Sequence, residues 1–156
     1  ILFFSNFIYC QIDYKDLMSI DSEKTFKRVV IENGYEQAPN ELDETSIIYG
    51  YEIVRDSIEG NKSTKWSFYD KSDGTFQFQF TRGNVELNKI LNDGKSVNEY
   101  DLIVDDIKKY CKYYDIITTN GSDYVCYSCS DSKYEGKIGF MISEGNGLIR
   151  HIILDD

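Results

Sequence analysis

The sequence predicts an α+β fold: one mainly antiparallel sheet with two helices packed on one face, built from a duplicated α-β-β-β unit. Three observations lead there. Phe76, Phe78 and Phe80 alternate with Gln77 and Gln79, the period of two that marks a strand with one buried and one wet face. Two stretches carry apolar residues at helical spacing behind a capping residue. Asn and Gly occupy the positions between the short aromatic and β-branched runs, where hairpin turns need residues that tolerate positive φ. A helix with a single apolar face has to bury it against another layer, and two such helices beside one sheet do so on the same side.

The first helix is expected from Ser22 to Asn33. Asp21 or Ser22 supplies a side-chain oxygen for the orphan N–H groups of the first turn, Phe26, Val29 and Val30 share a face, and Asn33-Gly34 closes the end. Pro39, the only proline, lies in a polar connection. Strands follow at Ser46 to Arg55, Lys65 to Tyr69 (after a loop from Asp56 to Thr64) and Thr75 to Thr81, with Asp70 to Gly74 as a turn. Between Arg82 and Lys95 the pattern supports only a short helical turn at Glu86 to Ile90. The second helix is expected behind a capping box of Ser96 and Glu99, with an apolar seam of Tyr100, Ile103, Val104, Ile107, Cys111 and Tyr114. Asp101, Asp105 and Asp106 lie away from that seam or toward the helix N-terminus, where the helix dipole favours acid. Four strands complete the chain: Asp115 to Thr119 and Asp123 to Ser130 around Asn120-Gly121, then Lys137 to Ser143 and Leu148 to Leu154 around Glu144 to Gly147.

The duplication rests on an internal echo. Asp56-Ser-Ile-Glu-Gly60 and then Lys65-Trp-Ser-Phe68 is answered by Asp131-Ser-Lys-Tyr-Glu-Gly136 and Lys137-Ile-Gly-Phe140. Tyr49 precedes the first motif as Tyr124 precedes the second. The half repeats would run about 21–82 and 96–154, within a single α+β domain over 11–156.

Residues 1–10 are expected to be a signal-peptide remnant. Ile1 to Gln11 carries no charge and is mostly apolar, a polar segment follows, and cleavage would fall near Cys10–Gln11. The stretch is shorter than the roughly 20 apolar residues of a membrane-spanning helix. Its Phe-Ile-Tyr-Cys-Gln ending, with the Asn-, Lys- and Tyr-rich body, resembles uncharacterised small exported proteins of Flavobacterium-like bacteria. That resemblance implies an exported protein, periplasmic or extracellular, and assigns no residue a role.

The 156 residues carry a net charge of −10, which argues against nucleic acid, since phosphate binding needs a basic footprint. The basic groups are scattered: Lys24, Lys27 and Arg28; Lys62 and Lys65; Lys108, Lys109 and Lys112. In an exported chain a disulfide is expected. Cys126-Tyr-Ser-Cys129 falls in a predicted strand, where positions three apart face opposite ways, and not at the helix N-terminus that a redox pair wants. A hairpin pivoting on Asn120-Gly121 brings Cys129 opposite residues near 113, beside the end of the second helix. The expected bond is therefore Cys111–Cys129, with Cys126 sheltered and unpaired.

No catalytic residue, cofactor site or metal site is expected. His151 is the only histidine and has no obvious partner base. The Gly145-Asn-Gly147 turn is not followed by the Lys-Ser/Thr of a phosphate loop, and no nucleophile elbow is present. Asp56 with Glu59, and Asp131 with Glu135, lack calcium-loop spacing. Trp66, Tyr69 and Tyr134, close to the echoed loops, form an interaction patch if exposed together, suited to a protein or a carbohydrate; core packing is the plainer account of the same rings. These readings favour a non-enzymatic secreted or periplasmic interaction module with an unidentified partner. A small carboxylate- or tyrosine-dependent hydrolase or lyase, and a structural envelope protein, are the alternatives.

Overall fold

The computed structural model describes residues 11–39, 44–82 and 98–154. The leader at 1–10, Ser96 and the helical turn at Glu86 to Ile90 lie outside them. Three helices are described: α1 (Tyr14–Ser19), α2 (Glu23–Glu32) and α3 (Glu99–Tyr110). The strands are β1 (Tyr35–Gln37), β2 (Ser46–Tyr51), β3 (Val54–Asp56), β4 (Gly60–Lys62), β5 (Lys65–Asp70), β6 (Phe76–Thr81), β7 (Lys112–Thr119), β8 (Ser122–Ser128), β9 (Lys137–Ser143) and β10 (Asn146–Ile152). Eight of them form one sheet in the order β1-β2-β5-β6-β10-β9-β8-β7, and β3 and β4 pair as a separate ribbon. Every described pairing is antiparallel. The fold is thus α+β around one large antiparallel sheet, as expected.

The helices form where the local chemistry dictates. Ser22 caps α2, its hydroxyl accepting from the Thr25 N–H while the Thr25 side chain returns the bond to the Ser22 backbone. Phe26, Val29 and Val30 are buried, and Gly34 takes φ 77° just beyond the end. The ring of Phe26 meets those of Tyr49, Tyr69 and Phe78, with centroids at 6.2, 5.2 and 5.9 Å. In α3, Tyr100, Ile103, Val104 and Ile107 are buried in the same cluster as Phe26, together with Phe140 and Ile149. The two long helices therefore share one side of the sheet. α1 joins that layer through Leu17 and Met18; its capping box, Asp13 with Asp16, is the local signal for a helix that the sequence reading did not place.

Several expectations are corrected. The cap of α3 is Asn98, whose side chain accepts from the Tyr100 N–H, so Glu99 is not the third member of a capping box. Its carboxylate turns inward and pairs with Lys65 of β5 at 2.6 Å. Cys111 is the C-cap of α3 and not part of its seam, and Tyr114 belongs to β7. That strand starts three residues earlier than expected, directly after Cys111, which is already extended at φ −107° and ψ 160°, with a bulge between Tyr113 and Asp115. Strand β2 ends at Tyr51, where Glu52 takes φ 49°, and the expected loop from Asp56 to Thr64 instead contains β4, paired with β3 as a hairpin.

Candidate functional site

Register assigns each strand residue to a face. The row Tyr49, Ser67, Phe78, Ile149 and Phe140 faces the helices. The adjacent row, Ile48, Phe68, Gln77, Arg150, Gly139 and Cys126, faces the other way. None of the described helices packs on that second face. Phe68 and Phe140, matched by the internal echo, consequently point to opposite sides, as do Tyr49 and Tyr124. The two motifs are similar in sequence but not equivalent in position.

The same alternation divides the expected aromatic patch. Tyr69 faces the helices and is buried. Tyr134 joins it at the β5–β6 turn, where its hydroxyl donates to the Gly74 carbonyl. Its ring lies 5.6 Å from that of Phe76 and 4.1 Å from the imidazole of His151. A side chain on Gly74, which sits at φ 72°, would come within 2.9 Å of the Tyr134 hydroxyl. His151 is only 1% exposed and also stacks on Phe76 at 5.5 Å. Its Nε2 meets the backbone carbonyl of Glu135, which can only accept, so that nitrogen carries the proton and donates. Burial holds the imidazole pKa below its ordinary 6.5, outweighing the carbonyl contact and Asp73. A cleft of about 610 Å³ opens beside this group, bounded by Asp21, Lys133, Glu135 and Lys137. The two rings at its inner wall are spent on packing and on backbone carbonyls.

Trp66 stands apart, on the helix-free face. Its indole rests over Gly50 of β2: a Cβ there would lie 2.8 Å from the ring and 2.7 Å from Ile53, so the absence of a side chain at position 50 makes the seat. Register places Trp66 beside Gln79, and Gln79 beside Leu148. Phe68, Gln77 and Arg150 form the parallel row. These six side chains make a grid two residues deep and three strands wide, each half-buried. Phe68, Gln77 and Arg150, with Ser46, Asp70 and Thr75, line a cleft of about 200 Å³. No carboxylate of a described residue lies within ion-pair distance of Arg150. Beyond Arg150, Tyr124, Cys126 and Ile152 are buried with Ile117, Met141 and Leu148 against them, a small second cluster on this face. The sequence pattern gave the alternation of β6 but not this grid, because pairing β6 with β10 joins residues about 70 apart.

The cysteines follow expectation. Cys111 and Cys129 are bonded, with Cα atoms 4.5 Å apart and a sequence separation of 18, tying the end of α3 to the end of β8. Cys126 is free and buried, its Sγ 3.3 Å from the Tyr124 carbonyl, and burial pushes its thiol pKa up. The carboxylate pairs are not convergent sites. Asp56 accepts from the Ile58 and Glu59 N–H groups of its own turn, which lowers its pKa, while Glu59 pairs with Lys62. Asp131 accepts from the Tyr14 hydroxyl at 3.4 Å. No group of three or more His, Cys, Asp or Glu suited to a metal occurs among the described residues.

Compared with protein-family models, curated proteins and solved structures, the chain matches none of them.

Proposed function

We propose that this chain is an exported, non-enzymatic interaction module whose binding surface is the helix-free face of the sheet. The observation that carries the reading is the half-buried grid of Trp66, Phe68, Gln77, Gln79, Leu148 and Arg150. Large apolar and amide side chains laid side by side on a rigid sheet, with one helix layer already covering the reverse, are the composition of a recognition surface. The location follows the N-terminal segment and its resemblance to exported proteins of Flavobacterium-like bacteria. The Cys111–Cys129 bond suits an oxidising compartment.

A duplication, expected as an α-β-β-β unit and here with a fourth strand in each half, is our reading of how such a wide sheet arose. Each long helix is followed by four strands of the large sheet, and the two runs meet where β6 pairs with β10. The repeat we infer is one of topology, offset by one residue from the sequence echo, so that equivalent strands keep their buried faces.

The test is capture of partners from the envelope fraction by the immobilised protein, compared with Trp66→Ala and Leu148→Glu. Both substitutions are expected to abolish capture, whereas Ile31→Glu, at an exposed position on α2, leaves it intact. Capture retained by both face variants would contradict the proposal, as would turnover in a broad hydrolase screen lost on mutation of His151.

A further inference from the structure

We infer that the grid around Arg150 recognises a carboxylate-bearing sugar, one uronic acid residue of a sparsely charged glycan. The inference rests on the reading of the helix-free face as a binding surface and adds the chemistry of its ligand. Three features of the face select this class.

The first is Arg150 itself. The residue is half-buried in the middle of the sheet, with Gln77 on one side and Gly139, which has no side chain, on the other. No described acid pairs with it. A planar fork of N–H donors on a half-buried residue matches a carboxylate in two parallel hydrogen bonds. The single acid lining the same cleft, Asp70, already has Oδ1 engaged by the Ser72 N–H and hydroxyl at 2.8 and 2.5 Å.

The second is what surrounds the charge. Gln77 and Gln79 stand next to it, and their side-chain amides make no hydrogen bond to another described residue. Each offers both donors and an acceptor, the complement of sugar hydroxyls. Phe68 and Trp66 lie one strand further on, the indole packed against Gly50. Ring faces beside amides suit a pyranose, whose C–H face is apolar and whose rim is polar. The cleft that joins Phe68 to Arg150 has a volume of about 200 Å³.

The third disfavours a peptide. Strands β5, β6 and β10 are each paired on both sides, so no backbone edge is open for an added strand. Binding here rests on side chains alone. The net charge of −10 repels dense polyanions at long range. Within the roughly 8 Å screening length of physiological salt, local contact with a single carboxylate decides the outcome.

The experiment is isothermal titration of the full chain with trigalacturonate, with its carboxyl-reduced trigalactose counterpart, and with a short poly-glutamate. Trigalacturonate is expected to bind, the reduced sugar at least tenfold more weakly. Arg150→Gln should weaken trigalacturonate at least tenfold, and Arg150→Lys should restore part of the loss. Trp66→Phe, which keeps a ring, should be milder than Trp66→Ala, and a circular dichroism melt of each variant separates lost binding from lost folding. Equal binding of the acidic and reduced sugars, or binding unaffected by Arg150→Gln, overturns the carboxylate assignment. Poly-glutamate bound more tightly than the sugar overturns the glycan assignment in favour of an acidic peptide. Absence of all three interactions, with face-dependent capture from the envelope fraction intact, overturns this inference and leaves the binding face standing.

Discussion

Gly147 shows how closely the helix layer is fitted to the sheet. A Cβ at this strand position would lie 2.3 Å from the ring of Tyr100. That ring cannot withdraw freely, because its hydroxyl donates to the Met141 carbonyl at 2.9 Å. Gly147→Ala is therefore expected to destabilise by about 1–3 kcal/mol, the range for overpacking a filled site, measured as a lower urea midpoint at unchanged slope. An unaltered midpoint would show that α3 is loosely seated. His151 supplies a second residue-scale test. Folding keeps the imidazole neutral, so its folded pKa lies below 6.5. The stability this contributes is present above pH 6.5 and is lost as pH falls through the folded value. Because His151 is the only histidine, one resonance in a proton NMR titration reports it; a midpoint at or above 6.5 would place the ring in water.

At the scale of elements, local signals were legible and distant ones were not. The caps at Ser22 and Gly34, the Asn120-Gly121 hairpin (φ 53° and 75°) and the bounds of β9 follow from residues within a few positions of one another. The Cys111–Cys129 bond was also readable, since the Asn120-Gly121 hairpin brings Cys129 beside the end of α3. Its loss is expected to cost about 2–4 kcal/mol, in the range for a loop of this size. Urea unfolding with and without reductant, or of Cys111→Ser/Cys129→Ser, measures it, and alkylation of the native protein should leave the buried Cys126 unlabelled. Equal midpoints under both conditions would mean that the bond constrains nothing. The inward turn of Glu99 was not readable: a carboxylate three residues after Ser96 looks like a capping group until β5 brings Lys65 to it. Burial raises the pKa of Glu99, opposed by Lys65 and by the Ile12 N–H. The pair links a strand of the first run to the helix that opens the second.

For the whole molecule, the decisive step is the pairing of β6 with β10, which merges the two runs into one sheet and sets the alternation that everything else follows. One parity buries Phe76, Phe78 and Phe80 beneath the helices; the other aligns Gln77 and Gln79 with Trp66, Phe68, Leu148 and Arg150. The aromatic patch read from the sequence failed at this scale, because Trp66 and Tyr69 are three apart in a strand and so cannot share a face. The candidate surface became visible only once register was known. Hydroxyl-radical footprinting, read residue by residue, tests this division most directly, since alternate positions of the same strands report on the two sides. We predict oxidation at Trp66, Phe68 and Leu148 and protection of Phe76, Phe78, Phe80 and Ile149. Equal labelling of both sets, or protection of the first and labelling of the second, would contradict the assignment of helix-covered and helix-free faces.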